Sequence, residues 1–252
     1  MNIRIYLTGR LALESERNLI FDESRLRGRQ SRLLFAYLVY NRGRAISRGE
    51  LAGSLWTDEL PAAWDSSMSA LISRLKALFA TVPTDGSDSW LASAAGEYIL
   101  RLPPETWIDL EATGPAIDEA EGALRAGRPE KAWASANVAA TIGKRRFLPG
   151  FDGEWIESIR DRLDRQHVRA LECLAHVWLE RGETGAAIEA ASQAIAVDSY
   201  RETSYQLLMR AYAAAGNRAE GVLAYKRLQK RLREDLGIEP SPESEAAYRR
   251  LG

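Results

Sequence analysis

Seven arginines, Arg25, Arg27, Arg29, Arg32, Arg42, Arg44 and Arg48, fall between residues 25 and 48 with no acidic residue among them. Clustered guanidinium groups suit phosphate, which each can meet with two parallel N–H donors. The ordinary alternative is a solvated helical face, and a charge run alone favours it. A second pattern strengthens the phosphate reading. From Ser66 to Phe79 there is again no acid, and Met68, Ile72, Leu75 and Phe79 recur at helical spacing. The opposite face then carries Ser66, Ser69, Ala70, Ser73, Arg74 and Lys76 or Ala77. Short side chains let a helix press closely into a major groove, and Arg74 is long enough to reach a guanine edge or a phosphate. An ordinary exposed helix carries more Glu and Lys. Arg44 and Arg48, at the start of the preceding helix, can meet phosphates together with helix N-terminal N–H groups. Arg101 follows a hairpin whose uncharged tip, residues 93–96, can approach an adjacent groove.

Chemistry of other kinds is thin. Cys173 and His176 can share neighbouring faces of a helix, but His167 falls elsewhere around the axis, so the three match no zinc pattern. A buried thiol and packed histidines are the better account. No glycine-rich phosphate loop follows a strand, and no serine sits in a nucleophile elbow. No enzyme activity, metal or cofactor is expected.

The elements that must position these residues can be read from the spacing. Residues 3–22 alternate loosely and predict two or three short strands. Leu33, Leu34, Tyr37 and Leu38 predict a helix that Arg42 and Gly43 stop. Ser47 caps a second helix with Glu50 in the capping-box position and Leu51, Leu55 and Trp56 on its apolar face. The third helix runs from about Asp65 to Phe79, residues 83–88 form a loop, and Trp90 to Leu100 forms a hairpin. Strands, three helices and a hairpin thus fill residues 1–102, and Pro103 and Pro104 mark a boundary.

Residues 105–252 are helical only, and they repeat. Leu174, Trp178, Gly182, Ile188, Ala191 and Ala194 recur as Leu208, Tyr212, Gly216, Val222, Tyr225 and Leu228, each 34 residues on. This is the tetratricopeptide period, one helix–turn–helix per unit. An earlier unit at Gly127, with Trp133 and Ala136, fits after allowing a 21-residue insertion around Phe147 to Arg160.

The 252 residues carry a net charge of −1, and 46% are apolar, enough for packed cores. The whole-chain charge argues against a polyanionic partner, but residues 1–102 sum to +2 and residues 103–252 to −3. A single cysteine excludes a disulfide framework. No signal peptide or membrane span is apparent, so a cytoplasmic protein without membrane contact is expected.

Residues 29–56, RQSRLLFAYLVYNRGRAISRGELAGSLW, resemble the helix-1 to helix-2 segment of response-regulator-type winged helices, most closely in the form found in the streptomycete antibiotic regulatory proteins (SARP family). LISRLKALF, residues 71–79, resembles that family's recognition helix, with Lys76 where a second arginine is usual. YKRLQKRLREDLGIEPSPE, residues 225–243, resembles the end of the bacterial transcriptional activator domain. The fold class implied is an α+β winged helix-turn-helix followed by an all-α tetratricopeptide-like domain. The resemblance implies a transcriptional activator that binds promoter direct repeats in double-stranded DNA, contacts RNA polymerase and its sigma factor, and in many members switches on secondary-metabolite genes. It places Ser73, Arg74 and Lys76 at recognition-helix positions, with Ser69 and Ala70 at variable positions that help set sequence preference. No receiver domain is apparent before the winged helix, so switching by aspartyl phosphorylation within this chain is not expected. The weak positive charge implies a homodimer, at least on DNA. Two other readings compete. One is a tetratricopeptide-type protein adaptor without specific DNA binding. The other is a regulator holding a small molecule in a groove lined by Trp133, Trp155 and Trp178.

Overall fold

The computed structural model describes residues 2–56, 59–82 and 89–251. The loop expected at residues 83–88 lies outside them. The chain divides into two compact units, Met1–Glu111 with Arg146–Ile159, and Ala112–Arg145 with Arg160–Gly252. The division therefore does not fall at Pro103 and Pro104. Strand β7, Trp107–Ile108, closes the first sheet beyond the prolines, and a second segment returns to the first unit from between two later helices.

In the first unit, β1 (Ile3–Tyr6), β2 (Ala12–Ser15) and β3 (Asn18–Asp22) form an antiparallel meander, and β7 adds in parallel to β1. Ile3, Ile5 and Leu7 point to one face and are fully buried, as alternation requires. Helices α1 (Arg29–Tyr40), α2 (Arg48–Leu55) and α3 (Trp64–Phe79) follow. A second small sheet joins β4 (Ile46–Ser47), β6 (Glu97–Leu100) and β5 (Leu91–Ala94), in that order. The β5–β6 turn has φ of 51° at Ala95 and 80° at Gly96. Positive φ at both central residues gives the turn a twist that matches the strands it joins.

Helix α3 is held by its predicted apolar face. Met68, Leu71, Ile72, Leu75 and Phe79 are buried. Phe79 lies 6.0 Å from Phe21 of β3, 6.2 Å from Phe35 of α1 and 5.6 Å from Trp90, centroid to centroid. Each fully buried side chain of this size contributes about 1.5–3 kcal/mol. The aromatic cluster thus ties sheet, first helix, third helix and hairpin base into one frame.

A buried carboxylate fixes the end of this unit. Asp109, fully buried, accepts from Leu7 N at 2.9 Å, Thr8 N at 3.0 Å, Thr8 Oγ1 at 2.7 Å and Leu110 N at 2.7 Å. Burial pushes its carboxyl above the usual range, while the four donors pull it back.

The second unit is built from helices. Helix α4 (Asp109–Arg125) enters it, α5 is Pro129–Gly143, α6 is Glu154–Glu180, α7 is Thr184–Val197, α8 is Glu202–Ala214 and α9 is Arg218–Arg231. A π-helical turn, Leu232–Leu236, and α10, Pro242–Arg249, complete it. The repeat read from spacing is present in the turns. Glu183 N donates to Trp178 O at 2.9 Å, and 34 residues on Asn217 N donates to Tyr212 O at 2.9 Å. Gly182 and Gly216 adopt φ of 75° and 72° there. The weaker unit shows the same closure, with Arg128 N donating to Ala123 O at 2.9 Å beside Gly127 at φ 65°. Glycine is favoured at these helix ends because the left-handed conformation costs it nothing.

The insertion that breaks the period has a structural destination. Arg146–Ile159 belongs to the first unit. Phe147 is fully buried there, bridges to Thr8, and packs on Trp155, which meets the Tyr37 ring edge-on at 5.1 Å. No helix among the described residues is long and apolar enough to cross a membrane.

Candidate nucleic-acid interface

The exposed face of α3 is the one its sequence predicts. Ser66, Ser69, Ala70, Ser73, Arg74 and Ala77 are solvent-exposed. The hydroxyls of Ser66 and Ser69 donate back to the carbonyls of Ala63 and Asp65, both at 3.0 Å, so neither projects a free donor along the face. Ser73 has no such bond among the described residues. The Arg74 guanidinium has no hydrogen-bond or ion-pair partner among the described residues, and is free to reach outward.

The other cations expected at the interface divide into engaged and free. Arg48 opens α2, but its side chain turns inward. It donates to the Asp65 carboxylate at 2.9 Å, the Asp65 carbonyl at 2.7 Å, Ser69 Oγ at 3.0 Å and Tyr98 Oη at 2.6 Å. Its side chain is only 24% exposed. An arginine so occupied locks the start of α3 to the hairpin. Each of its three guanidinium nitrogens has a partner, so a phosphate contact there would have to compete with these bonds. Lys76 likewise leans to the hairpin, with Nζ donating to Ser93 Oγ at 2.9 Å. Arg44 pairs with Glu50 through two bonds, one of 2.9 Å, and also donates to Asn41 Oδ1 at 3.0 Å. Arg101 is exposed, and among the described residues only its backbone N–H is used, toward Trp90 O at 2.7 Å.

The capping reading of α2 holds in half. Ser47 Oγ accepts from Glu50 N at 3.1 Å. The Glu50 carboxylate does not return to Ser47. It takes Arg44 and the Tyr37 hydroxyl at 2.7 Å instead. Arg44 holds the Glu50 carboxyl below the usual range, partly offset by burial, and burial together with Glu50 pushes the Tyr37 phenol up.

Most of the arginine cluster is likewise spent internally. Arg29 donates to Gly150 O at 3.0 Å and stacks over Phe151. Arg32 braces the carbonyls of Leu26 and Glu23, and Arg42 makes a two-pronged pair with Glu111. Arg25 and Arg27 remain without side-chain partners among the described residues. Both lie in the arginine cluster but outside the expected contact set. The signal for them was the Arg-Leu-Arg alternation around Leu26, which is 1% exposed.

Elsewhere the chemistry is quiet. Burial pushes the Cys173 thiol up to about 12 and lowers both His167 and His176. Among the described residues no group of three or more His, Cys, Asp or Glu is placed to hold a metal. Trp133 and Trp178 meet edge-on at 6.4 Å with Arg181 stacked on both, whereas Trp155 belongs to the first unit. No groove of the helical unit therefore holds all three tryptophans.

The architecture is an α+β unit that presents one helix, together with a unit of helical repeats. The chain belongs to the bacterial transcriptional activator domain family, whose model matches residues 108–251. The resemblance to SARP-type activators holds in its relatives. The chain is 27% identical over 222 residues to the regulatory protein AfsR of Streptomyces coelicolor, covering 88% of this chain and 22% of that one. It is 27% identical over 223 residues to the transcriptional regulatory protein EmbR of Mycobacterium tuberculosis, covering 88% and 57%. The chain thus spans about a fifth of the one relative and just over half of the other. A solved structure of M. tuberculosis EmbR, in complex with a low affinity phosphopeptide, matches with a TM-score of 0.83 at 25% identity, over 99% of this chain and 64% of that one.

Proposed function

We propose that this chain is a sequence-specific DNA-binding transcriptional regulator, an activator whose first unit acts as a winged helix-turn-helix. In this reading α3 enters the major groove, the β5–β6 hairpin is the wing, and Arg101 approaches the flanking backbone. Ser69, Ala70, Ser73 and Arg74 face the bases. The observation that carries it is the open face of α3: small side chains and one arginine without a partner among the described residues, held on an aromatic frame. Short side chains beside one long cation suit direct base readout. The family and the relatives named as regulators support the same reading. The helical unit is assigned to subunit pairing and to contact with RNA polymerase and its sigma factor, at promoters carrying direct repeats.

The charge balance sharpens the mechanism. Few free cations face outward, so each subunit neutralises few phosphates, and each contributes about −0.9 to the slope of log K against log salt. One subunit on one site should bind weakly, and two on adjacent repeats should bind far better through effective concentration. The test begins with selection of bound sequences from a random duplex pool. Gel shifts then compare one selected half-site with two in tandem. Tighter binding to the tandem site is expected. Equal affinity for both would remove the pairing, and failure to retain any duplex at low salt would favour the protein-adaptor reading.

A further inference from the structure

Beside the exposed face of α3 lies a groove of about 470 Å³, floored by Leu26 and Leu75 and rimmed by Arg25, Arg27, Ser31 and Arg74. The three guanidinium groups have no hydrogen-bond or ion-pair partner among the described residues. Three unpaired like charges around one concavity repel one another, and an anion between them removes that cost.

The loop that presents two of these arginines is firmly built. Asp22 O accepts from Arg25 N at 3.1 Å and Leu26 N at 3.2 Å, and the Asp22 carboxylate takes Ser24 N at 2.9 Å and Ser24 Oγ at 2.6 Å. Arg32 Nε donates to Leu26 O at 3.3 Å. The Leu26 side chain is anchored in the core, so Arg25 and Arg27 are held outward on either side of it. Both nearby carboxylates are already engaged, Asp22 as above and Glu23 by Leu11 N at 2.8 Å. Helix α1 begins here with Gly28 as its cap, no side-chain capping bond and no acid in its first turn. Its first N–H groups and positive dipole end are therefore left for an outside anion.

We infer that this groove seats a phosphodiester group of the DNA strand flanking the major groove read by α3, with Arg25 and Arg27 as its principal ligands. The inference rests on the reading of α3 given above. It adds a backbone clamp to a helix that otherwise carries little charge. Guanidinium forks fit phosphate geometry, and a contact of this kind fixes register without reading sequence. Arg74, shared between the groove and the helix face, links the clamp to base readout.

The test uses the full chain and the doubly substituted R25A/R27A. Binding to a selected duplex and to a random-sequence duplex is measured across a salt series. The slope of log K against log salt should become shallower by about 0.9 for each phosphate that is no longer neutralised. Affinity should fall by the same factor on both duplexes, with the thermal midpoint unchanged because both side chains are exposed. The charge-keeping R25K/R27K should recover most of the slope. Wild-type slope and affinity in R25A/R27A would overturn the clamp and leave the α3 reading standing. A loss confined to the selected duplex would also overturn it, since the arginines would then be reading bases. If R25A/R27A has a lowered thermal midpoint, the single variants R25A and R27A decide, and an unchanged slope in both overturns the clamp. Failure of the unsubstituted chain to bind either duplex would overturn both readings.

Discussion

The arginine-rich segment at residues 25–48 and the exposed face of α3 make opposite use of charge. The first carries seven cations, yet Arg29, Arg32, Arg42, Arg44 and Arg48 all have partners within the protein. The second has few charged groups, but Arg74 has no partner among the described residues. Charge density along a sequence therefore does not measure the charge available to a ligand. A guanidinium with five donors is as good a structural strut as a phosphate ligand, and which it becomes depends on whether carbonyls and carboxylates lie within reach. In this protein Arg48 holds the start of α2 and the hairpin against α3, the other struts brace the segments around α1, and the cations without partners among the described residues border the face that α3 presents.

The comparison is broken most directly at Arg74 and Arg48. Arg74→Ala should cut discrimination between a selected duplex and a random one by about 1–3 kcal/mol, or roughly 5- to 150-fold. Its melting temperature should not move. Retained discrimination would remove Arg74 from the reading surface. Arg48→Ala should behave in the reverse way. Removing its bonds to Asp65, Ser69 and Tyr98 should cost about 1–2 kcal/mol of stability, discounted from the value for a buried charge because the side chain is a quarter exposed. Specific binding should weaken because the start of α3 loosens, with the salt slope unchanged. A slope shallower by about 0.9 with no change in melting temperature would make Arg48 a phosphate ligand and collapse the distinction.

Much of the fold was legible because burial leaves a periodic trace. Met68, Ile72, Leu75 and Phe79 predicted the packed side of α3 and hence its open side. The 34-residue repeat was legible for the same reason, and the turn bonds at Gly182 and Gly216 reproduce it. Partner choice among long side chains was not legible. Arg48 meets Tyr98, and Arg42 meets Glu111, across 50 and 69 residues of sequence. No local pattern encodes such a pairing. The insertion between α5 and α6 was visible as an interruption, but its destination was not. Phe147, Phe151 and Trp155 within it were a usable sign, because a solvent loop has no need of three large aromatics. The division by packing lies a few residues past the proline pair because β7 pairs with β1 beyond it. A proline pair marks where the backbone turns, whereas a compact unit ends where its apolar packing ends.

The smallest effect separates an engaged arginine from a free one by titration alone. Glu50 has its carboxyl lowered from the ordinary 4.5, mainly by the Arg44 guanidinium. A carboxyl whose pKa is depressed on folding stabilises the folded state above the unfolded value. That contribution disappears as the pH falls through the folded value. For Glu50 the window lies below about pH 4.5. Arg44→Ala should move the Glu50 titration back up toward 4.5, read by NMR of the side-chain carboxyl, while stability at neutral pH falls by less than about 1 kcal/mol because the pair is half exposed. The DNA salt slope should be nearly untouched. Arg25→Ala, by contrast, should leave the Glu50 titration where it is and change only the slope. If instead Arg44→Ala leaves the Glu50 titration unmoved and flattens the salt slope, then Arg44 faces the phosphate backbone in solution, and the engaged set loses one of its members to the free one.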